Sequence, residues 1–88
     1  MKEYVHVINN PNGIHARPAG LFVQKMQNFK STVTVKRDEQ SADGKKLIAL
    51  MKLRAKFGQT ILVIAEGEDE DTAIEAAREF LTENNNIR

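Results

Sequence analysis

Residues 60–65, Thr60-Ile61-Leu62-Val63-Ile64-Ala65, form the most apolar run of the chain. Large and β-branched side chains fill this run and Gly67 closes it, which is typical of a central β-strand. A central strand needs paired neighbours and a layer that covers its apolar side chains. The segments on either side therefore have to supply further strands and amphipathic helices.

Three other segments have the composition of strands. Tyr4–Ile8 is rich in β-forming residues, but its alternation leaves open whether His6 faces the core or the open side of a sheet. We interpret His6 as structural. Thr32–Lys36 alternates cleanly, with valines inward and threonines outward. Gln40–Ala42 is short and has little to bury, so we expect it at a sheet edge.

Three segments have helical periodicity. We expect a first helix over Ala16–Asn28, a short second helix over Lys46–Arg54, and a last helix capped by Glu68 or Asp69. The tail Asn84–Arg88 is expected to fray. The apolar stripe of the first helix is Ala19, Phe22, Val23 and Met26, and that of the last helix is Ala73, Ile74, Ala77, Phe80 and Leu81.

The resulting order of elements is β-α-β-β-α-β-α. Each long helix has one apolar face and the clearest strands have one polar face, so three helices should cover one side of a four-stranded sheet. We therefore predict a single α+β domain over residues 1–88, built as an open-faced two-layer sandwich.

Composition excludes several classes of protein. The 88 residues include no cysteine, which removes disulfides and thiolate metal sites and fits a reducing cytosol. The formal charge of +1 gives no general case for binding nucleic acid or a membrane surface. No stretch approaches the roughly 20 apolar residues of a membrane span. We expect a cytoplasmic protein.

Residues 12–20, with the sequence Asn-Gly-Ile-His-Ala-Arg-Pro-Ala-Gly, place a histidine between a turn and the start of a helix. Pro18 suits a first helical turn, because the amide hydrogen that it lacks would have no intrahelical partner there. The free amides of Ala16 and Arg17 would point toward His15 and, with the helix dipole, form a small anion site.

The chemistry of this segment suits a phosphoryl group. His15 supplies a nucleophilic nitrogen, and the planar cation of Arg17 matches phosphate oxygens. The alternative is that His15 is only a solvated turn residue, which is the commoner situation for a single histidine in a turn. The wider sequence around the segment favours the phosphoryl interpretation.

The string Gly13–Ala19 resembles the active-site signature of the HPr family, the histidine phosphocarriers of the sugar phosphotransferase system. The resemblance continues through Leu21–Val23, Leu47–Met51 and Ala65–Glu70, and so covers essentially the whole chain. It implies an antiparallel sheet with strand order 1-4-2-3, which composition alone does not give.

The resemblance also implies roles. His15 would accept a phosphoryl group at Nδ1 from the phosphohistidine of enzyme I and donate it to enzyme IIA domains, with Arg17 assisting and Ala16 helping to bind phosphate. It implies no cofactor and no metal, and we expect a monomer. The surface that would meet both partners consists of Ile14, Ala16, Gly20, Leu47, Ile48 and Met51.

Positive charge is concentrated around the predicted second helix. Five cations lie there: Lys45, Lys46, Lys52, Arg54 and Lys56. Such a cluster is commonly only a solvated helix face. However, a helix of two turns cannot bury all of its apolar side chains, so an exposed apolar patch ringed by positive charge could dock an acidic partner.

Two positions depart from the family pattern. Lys46 stands where many relatives carry a serine that a dedicated kinase phosphorylates, so we expect no such control; Ser41 is a poor substitute. Arg54 stands where a small residue, often glycine, is usual. The alternative functions are a regulatory HPr paralogue and a small nucleic-acid-binding domain, and the near-neutral charge and few aromatic residues disfavour the latter.

Overall fold

The computed structural model describes residues 1–8 and 16–85, with the backbone alone at residues 16, 17, 84 and 85. The predicted turn over residues 9–13 lies outside the described residues. The elements are β1 (Lys2–Val7), α1 (Ala16–Met26), β2 (Thr32–Arg37), β3 (Gln40–Asp43), α2 (Leu47–Lys52), β4 (Thr60–Glu66) and α3 (Glu70–Asn85).

The four strands form one antiparallel sheet in the order β1-β4-β2-β3. The predicted central strand, β4, pairs with β1 on one side and with β2 on the other, so that Val63 lies between Tyr4 and Val35. The short β3 pairs only with β2 and lies at the edge. The predicted fold class and strand order are confirmed.

The core lies between the sheet and the three helices. Alternate residues of β4 and β2 point toward the helices and are buried, as the alternation of apolar side chains predicted. Met26 of α1 and Ala77 of α3 meet them from the helical layer. The fully buried side chains of largest volume are Met26, Ile61, Val33, Val35, Val63 and Ser31.

Strand β1 resolves the ambiguity of its sequence by placing Val5 and Val7 on the open side of the sheet. Both valines are exposed, and Val5 lies opposite Leu62 in the register. His6 therefore faces the helices and is only 5% exposed. The hydroxyl of Tyr4 lies 3.0 Å from Nδ1 of His6.

The helix bounds differ from the sequence prediction in ways that their hydrogen bonds explain. Helix α1 ends at Met26 because the next turn tightens: the amides of Asn28 and Phe29 donate to carbonyls three residues earlier. Helix α2 is shorter by one residue at its start and two at its end. The tail prediction was wrong at residues 84 and 85, which are helical; residues 86–88 lie outside the described residues.

Asp69 precedes α3, as predicted, but its carboxylate is used elsewhere in the fold. It accepts hydrogen bonds from the amides of Lys30 and Ser31 at 2.9 Å each, and from the hydroxyl of Ser31 at 2.5 Å. These bonds, the largest effect being that of the Ser31 hydroxyl, lower the pKa of Asp69 from 3.8 to about 2. The carboxylate thus fastens the turn before β2 to the start of α3.

Arg54 has a backbone φ of 53°, in the left-handed region that favours glycine. It follows Leu53, the C-cap residue of α2, and its amide donates to the carbonyl of Met51 at 3.2 Å. This geometry gives a physical reason why a small residue would suit position 54, because a Cβ is strained there.

We predict that Asp69→Asn destabilises the protein at neutral pH and makes its stability less dependent on pH. Since the pKa of Asp69 is lowered in the folded state, its contribution is present above pH 3.8 and is lost as the pH falls toward 2. Urea unfolding of both proteins across this range is the measurement. A constant difference between them from pH 7 to pH 2 would contradict the assignment.

We predict that Arg54→Gly stabilises the protein by about 0.5–1 kcal/mol, because relief of the left-handed strain exceeds the entropy that glycine adds to the unfolded chain. Arg54→Ala is the matched control, since it removes the same charge and keeps the Cβ. Urea unfolding at one pH should show the gain in the glycine variant only. An equal gain in the alanine variant would assign the effect to charge.

Candidate functional site

Helix α1 starts at the residue that follows the candidate nucleophile. Ile14 and His15 lie outside the described residues, and Ala16 is the first residue of the helix. The first turn contains no acidic residue and includes Pro18, as the motif predicted. The positive end of the α1 dipole is therefore not neutralised by its own first turn.

The other histidine of the chain is not accessible. His6 lies on the core face of β1, 5% exposed, with its ring centroid 5.6 Å from that of Tyr4. A partner protein cannot reach this imidazole without opening the core. This burial agrees with the structural interpretation of His6.

Helix α2 presents apolar side chains to solvent. Ile48 is 67% exposed and Leu47 is 36% exposed, while Met51 is half-buried against the core. Leu50 and Leu53 are buried and anchor the helix. The prediction that this helix cannot bury all of its apolar residues is confirmed.

Most of the cations around α2 are exposed, but one is held by a hydrogen bond within the fold. Lys45 donates from Nζ to the carbonyl of Phe29 at 2.6 Å, so it contributes to the fold. The remaining four are exposed and form no ion pair with any described residue. We call the following set the α2 surface: Leu47, Ile48 and Met51, with the cations Lys46, Lys52, Arg54 and Lys56.

Helix α1 packs beside α2 and adds to the exposed apolar area. Leu21 directly follows Gly20 and is 49% exposed, but it was not among the residues predicted to contact partners. A Cβ placed on Gly20 would meet no atom of the described residues within 4 Å. Packing among the described residues therefore does not require glycine at position 20.

The residues that the structure describes give no indication of a metal site or of a membrane-spanning helix. Within them, no group of three histidine, cysteine, aspartate or glutamate side chains could hold a metal ion. No helix in the same part of the chain is long and apolar enough to cross a bilayer.

The family described as "PTS HPr component phosphorylation site" matches residues 2–83. The chain belongs to the HPr family. A phosphocarrier protein HPr from Lysinibacillus sphaericus is 41% identical over 83 residues, which cover 94% of each chain. The crystal structure of HPr-C-His from Thermoanaerobacter tengcongensis superimposes with a TM-score of 0.93 at 35% identity, and covers 100% of this chain and 99% of that one.

Membership of the HPr family identifies the chain as a phosphocarrier component of the phosphotransferase system. The resemblance found in the sequence is thereby confirmed. One solved relative weighs against the expected monomer: an HPr from Thermoanaerobacter tengcongensis, 36% identical, forms a dimer in its crystal structure. That chain matches with a TM-score of 0.78, and the match covers 99% of this chain and 100% of the other.

We predict that Gly20→Ala stabilises the protein by about 0.5–1 kcal/mol. The methyl group meets no described atom within 4 Å, and alanine is the better helix former. Thermal or urea unfolding measures the effect. Gln24→Ala, an exposed change on the same helix, is the control and should alter stability much less. A loss of stability in Gly20→Ala would show that the helix is constrained there.

Proposed function

We propose that this protein carries a phosphoryl group on His15, received from the phosphohistidine of enzyme I and passed to enzyme IIA domains in the cytoplasm. The observation that carries the proposal is the match over residues 2–83 to a family described by its phosphorylation site, a range that includes the His15 motif. The start of α1 at Ala16, directly after His15, supports it.

Histidine suits a carrier because its neutral ring is nucleophilic near pH 7 and the phosphorylated ring remains reactive. In the first transfer, Nδ1 of His15 bonds to phosphorus while the donor's N–P bond breaks, and the donor nitrogen leaves with that electron pair. His15 keeps its proton on Nε2. The second transfer repeats this exchange with a histidine of enzyme IIA, so one phosphoramidate replaces another at each step.

The surroundings of His15 would favour the phosphorylated state. The N-terminus of α1, with no acidic residue in its first turn, disfavours an imidazolium and attracts a dianion. In the free protein, Arg17 repels a second positive charge, and after transfer it pairs with the phosphate. The amide of Ala16 is the third proposed phosphate-binding group.

The α2 surface is the proposed docking site for both partners. Its exposed Ile48 and Leu47 can be buried in a complex, and its unpaired cations favour an acidic partner. Ile14, Ala16 and Gly20 complete the proposed contact area, and we add Leu21 to it because its side chain is exposed. One surface must serve both partners, because a single histidine serves both.

Control by a serine kinase should be absent from this carrier. Lys46 directly precedes α2 and is exposed, and a lysine side chain cannot accept that phosphate. It also places a positive charge where phosphorylation would introduce a negative one.

We predict that incubation with enzyme I and phosphoenolpyruvate gives an acid-labile phosphate that is lost completely in His15→Ala. Labelled protein should then transfer the group to at least one of a panel of enzyme IIA domains. Radiolabel transfer and mass spectrometry are the measurements. Ile48→Ala is the control, because it keeps His15 and should be labelled to completion, with a higher KM for enzyme I.

Two outcomes of this experiment would change the assignment. Label that persists in folded His15→Ala would contradict the proposed acceptor. Labelling of His15 with no transfer to any enzyme IIA domain would favour the regulatory paralogue instead.

A further inference from the structure

Helix α2 has little that holds it in place from within. It has only six residues, and the preceding Lys46 makes no side-chain cap hydrogen bond. At the other end, the amides of Leu53 and Arg54 donate to carbonyls three residues earlier, and Arg54 is in the strained left-handed conformation. Isolated helices of this length are not stable in water, so contacts from outside must fix its position.

At its C-terminal end, one such contact comes from the β2–β3 hairpin. Nε of Arg37 donates to the carbonyl of Leu53 at 2.7 Å. The same guanidinium donates to Oε1 of Gln40 at 3.1 Å and lies 3.4 Å from a carboxylate oxygen of Asp38. The Arg37 side chain is only 18% exposed, so it lies between the hairpin and the helix.

At the N-terminal end, the turn that follows α1 provides the contact. Nε2 of Gln27 donates to the carbonyl of Lys45 at 3.1 Å, and Nζ of Lys45 donates to the carbonyl of Phe29. Helix α2 is thus held at both ends by side-chain-to-backbone bonds from neighbouring elements. Only the Arg37 bond combines partial burial with a full charge at the negative end of the helix dipole.

We propose that Arg37 is a positioning residue for docking: it fixes the orientation of α2 and thereby the affinity of the α2 surface for partner proteins. Arg37 belongs to neither the His15 motif nor the α2 surface, and it acts through Leu53. The inference rests on the proposed function, in which α2 docks enzyme I and enzyme IIA.

Arginine is suited to this role in a way that lysine is not. Its planar guanidinium donates to Leu53 and Gln40 at once and lies beside Asp38, so the hairpin orients the group that holds the helix. A lysine could reach one acceptor but would not be held by the hairpin in the same way. Arg37→Lys should therefore keep part of the hold on α2 that Arg37 provides, and Arg37→Met should keep none of it.

The test measures amide hydrogen exchange and transfer kinetics in Arg37→Met and Arg37→Lys. In Arg37→Met we expect the amides of Leu50 and Leu53 to exchange about tenfold faster, the change expected from losing one charge-assisted hydrogen bond. The amide of Val63 in β4 should not change. KM for enzyme I should rise by about three- to tenfold with kcat within about twofold, because docking weakens and the chemistry does not.

Arg78→Met is the matched control, because Arg78 is an exposed arginine on α3 that pairs with Glu75 away from α2. It should change neither α2 exchange nor KM. Arg37→Lys should give intermediate values of both. The proposal is overturned if α2 exchange in Arg37→Met is unchanged, or if Leu50, Leu53 and Val63 accelerate together, which would indicate a general loss of stability.

Ile48→Ala separates this proposal from the function on which it rests. It should raise KM while α2 exchange stays unchanged. If Ile48→Ala leaves KM unchanged, α2 is not the docking helix, and the docking role of Arg37 fails with it. If Ile48→Ala raises KM but Arg37→Met does not, the docking surface stands and only the role of Arg37 is overturned.

Discussion

The burial of one face of β4 is the constraint on which the rest of the structure depends. This strand is paired on both sides, and its inward residues Ile61, Val63 and Ala65 are almost completely buried. Only one face of the sheet is covered, so the strands pair in the register that places their buried residues on that side, while Val5 and Val7 of β1 stay exposed on the other. The helices must then cover that side. Helix α1 begins at Ala16, so its N-terminus directly follows the candidate nucleophile, His15.

The sequence predicted the elements of this fold well, because each long helix and clear strand has its own periodic pattern. It could not decide which side of the sheet His6 faces, because the apolar residues of Tyr4–Ile8 fall on both sides of the strand. Pairing with β4 decides which side His6 faces, and this pairing depends on two separate segments of the chain. The strand order came from the family resemblance rather than from any local pattern. The carboxylate of Asp69 is a similar case, since its partners lie 38 residues away in the chain.

The candidate site likewise has residues that the sequence predicted and residues that it could not predict. The motif at residues 12–20 is contiguous, so the sequence was sufficient to propose His15 and Arg17. The positive charge of the second helix was also evident, but the sequence could not show that Lys45 is bound to Phe29. Arg37 was missed altogether, because nothing near it in the chain indicates that it lies against Leu53, 16 residues away. Residues that act by supporting a surface carry no sequence signal of their own.

The link between Ser31 and Asp69 has a consequence for the order of events in folding. It closes a loop that contains β2, β3, α2 and β4, and the ends of such a loop meet only at an entropic cost. We therefore expect the bond to form after the intervening strands have paired, so that its free energy slows unfolding more than it speeds folding. On this expectation, the Asp69 carboxylate prolongs the lifetime of the native state rather than hastening its formation.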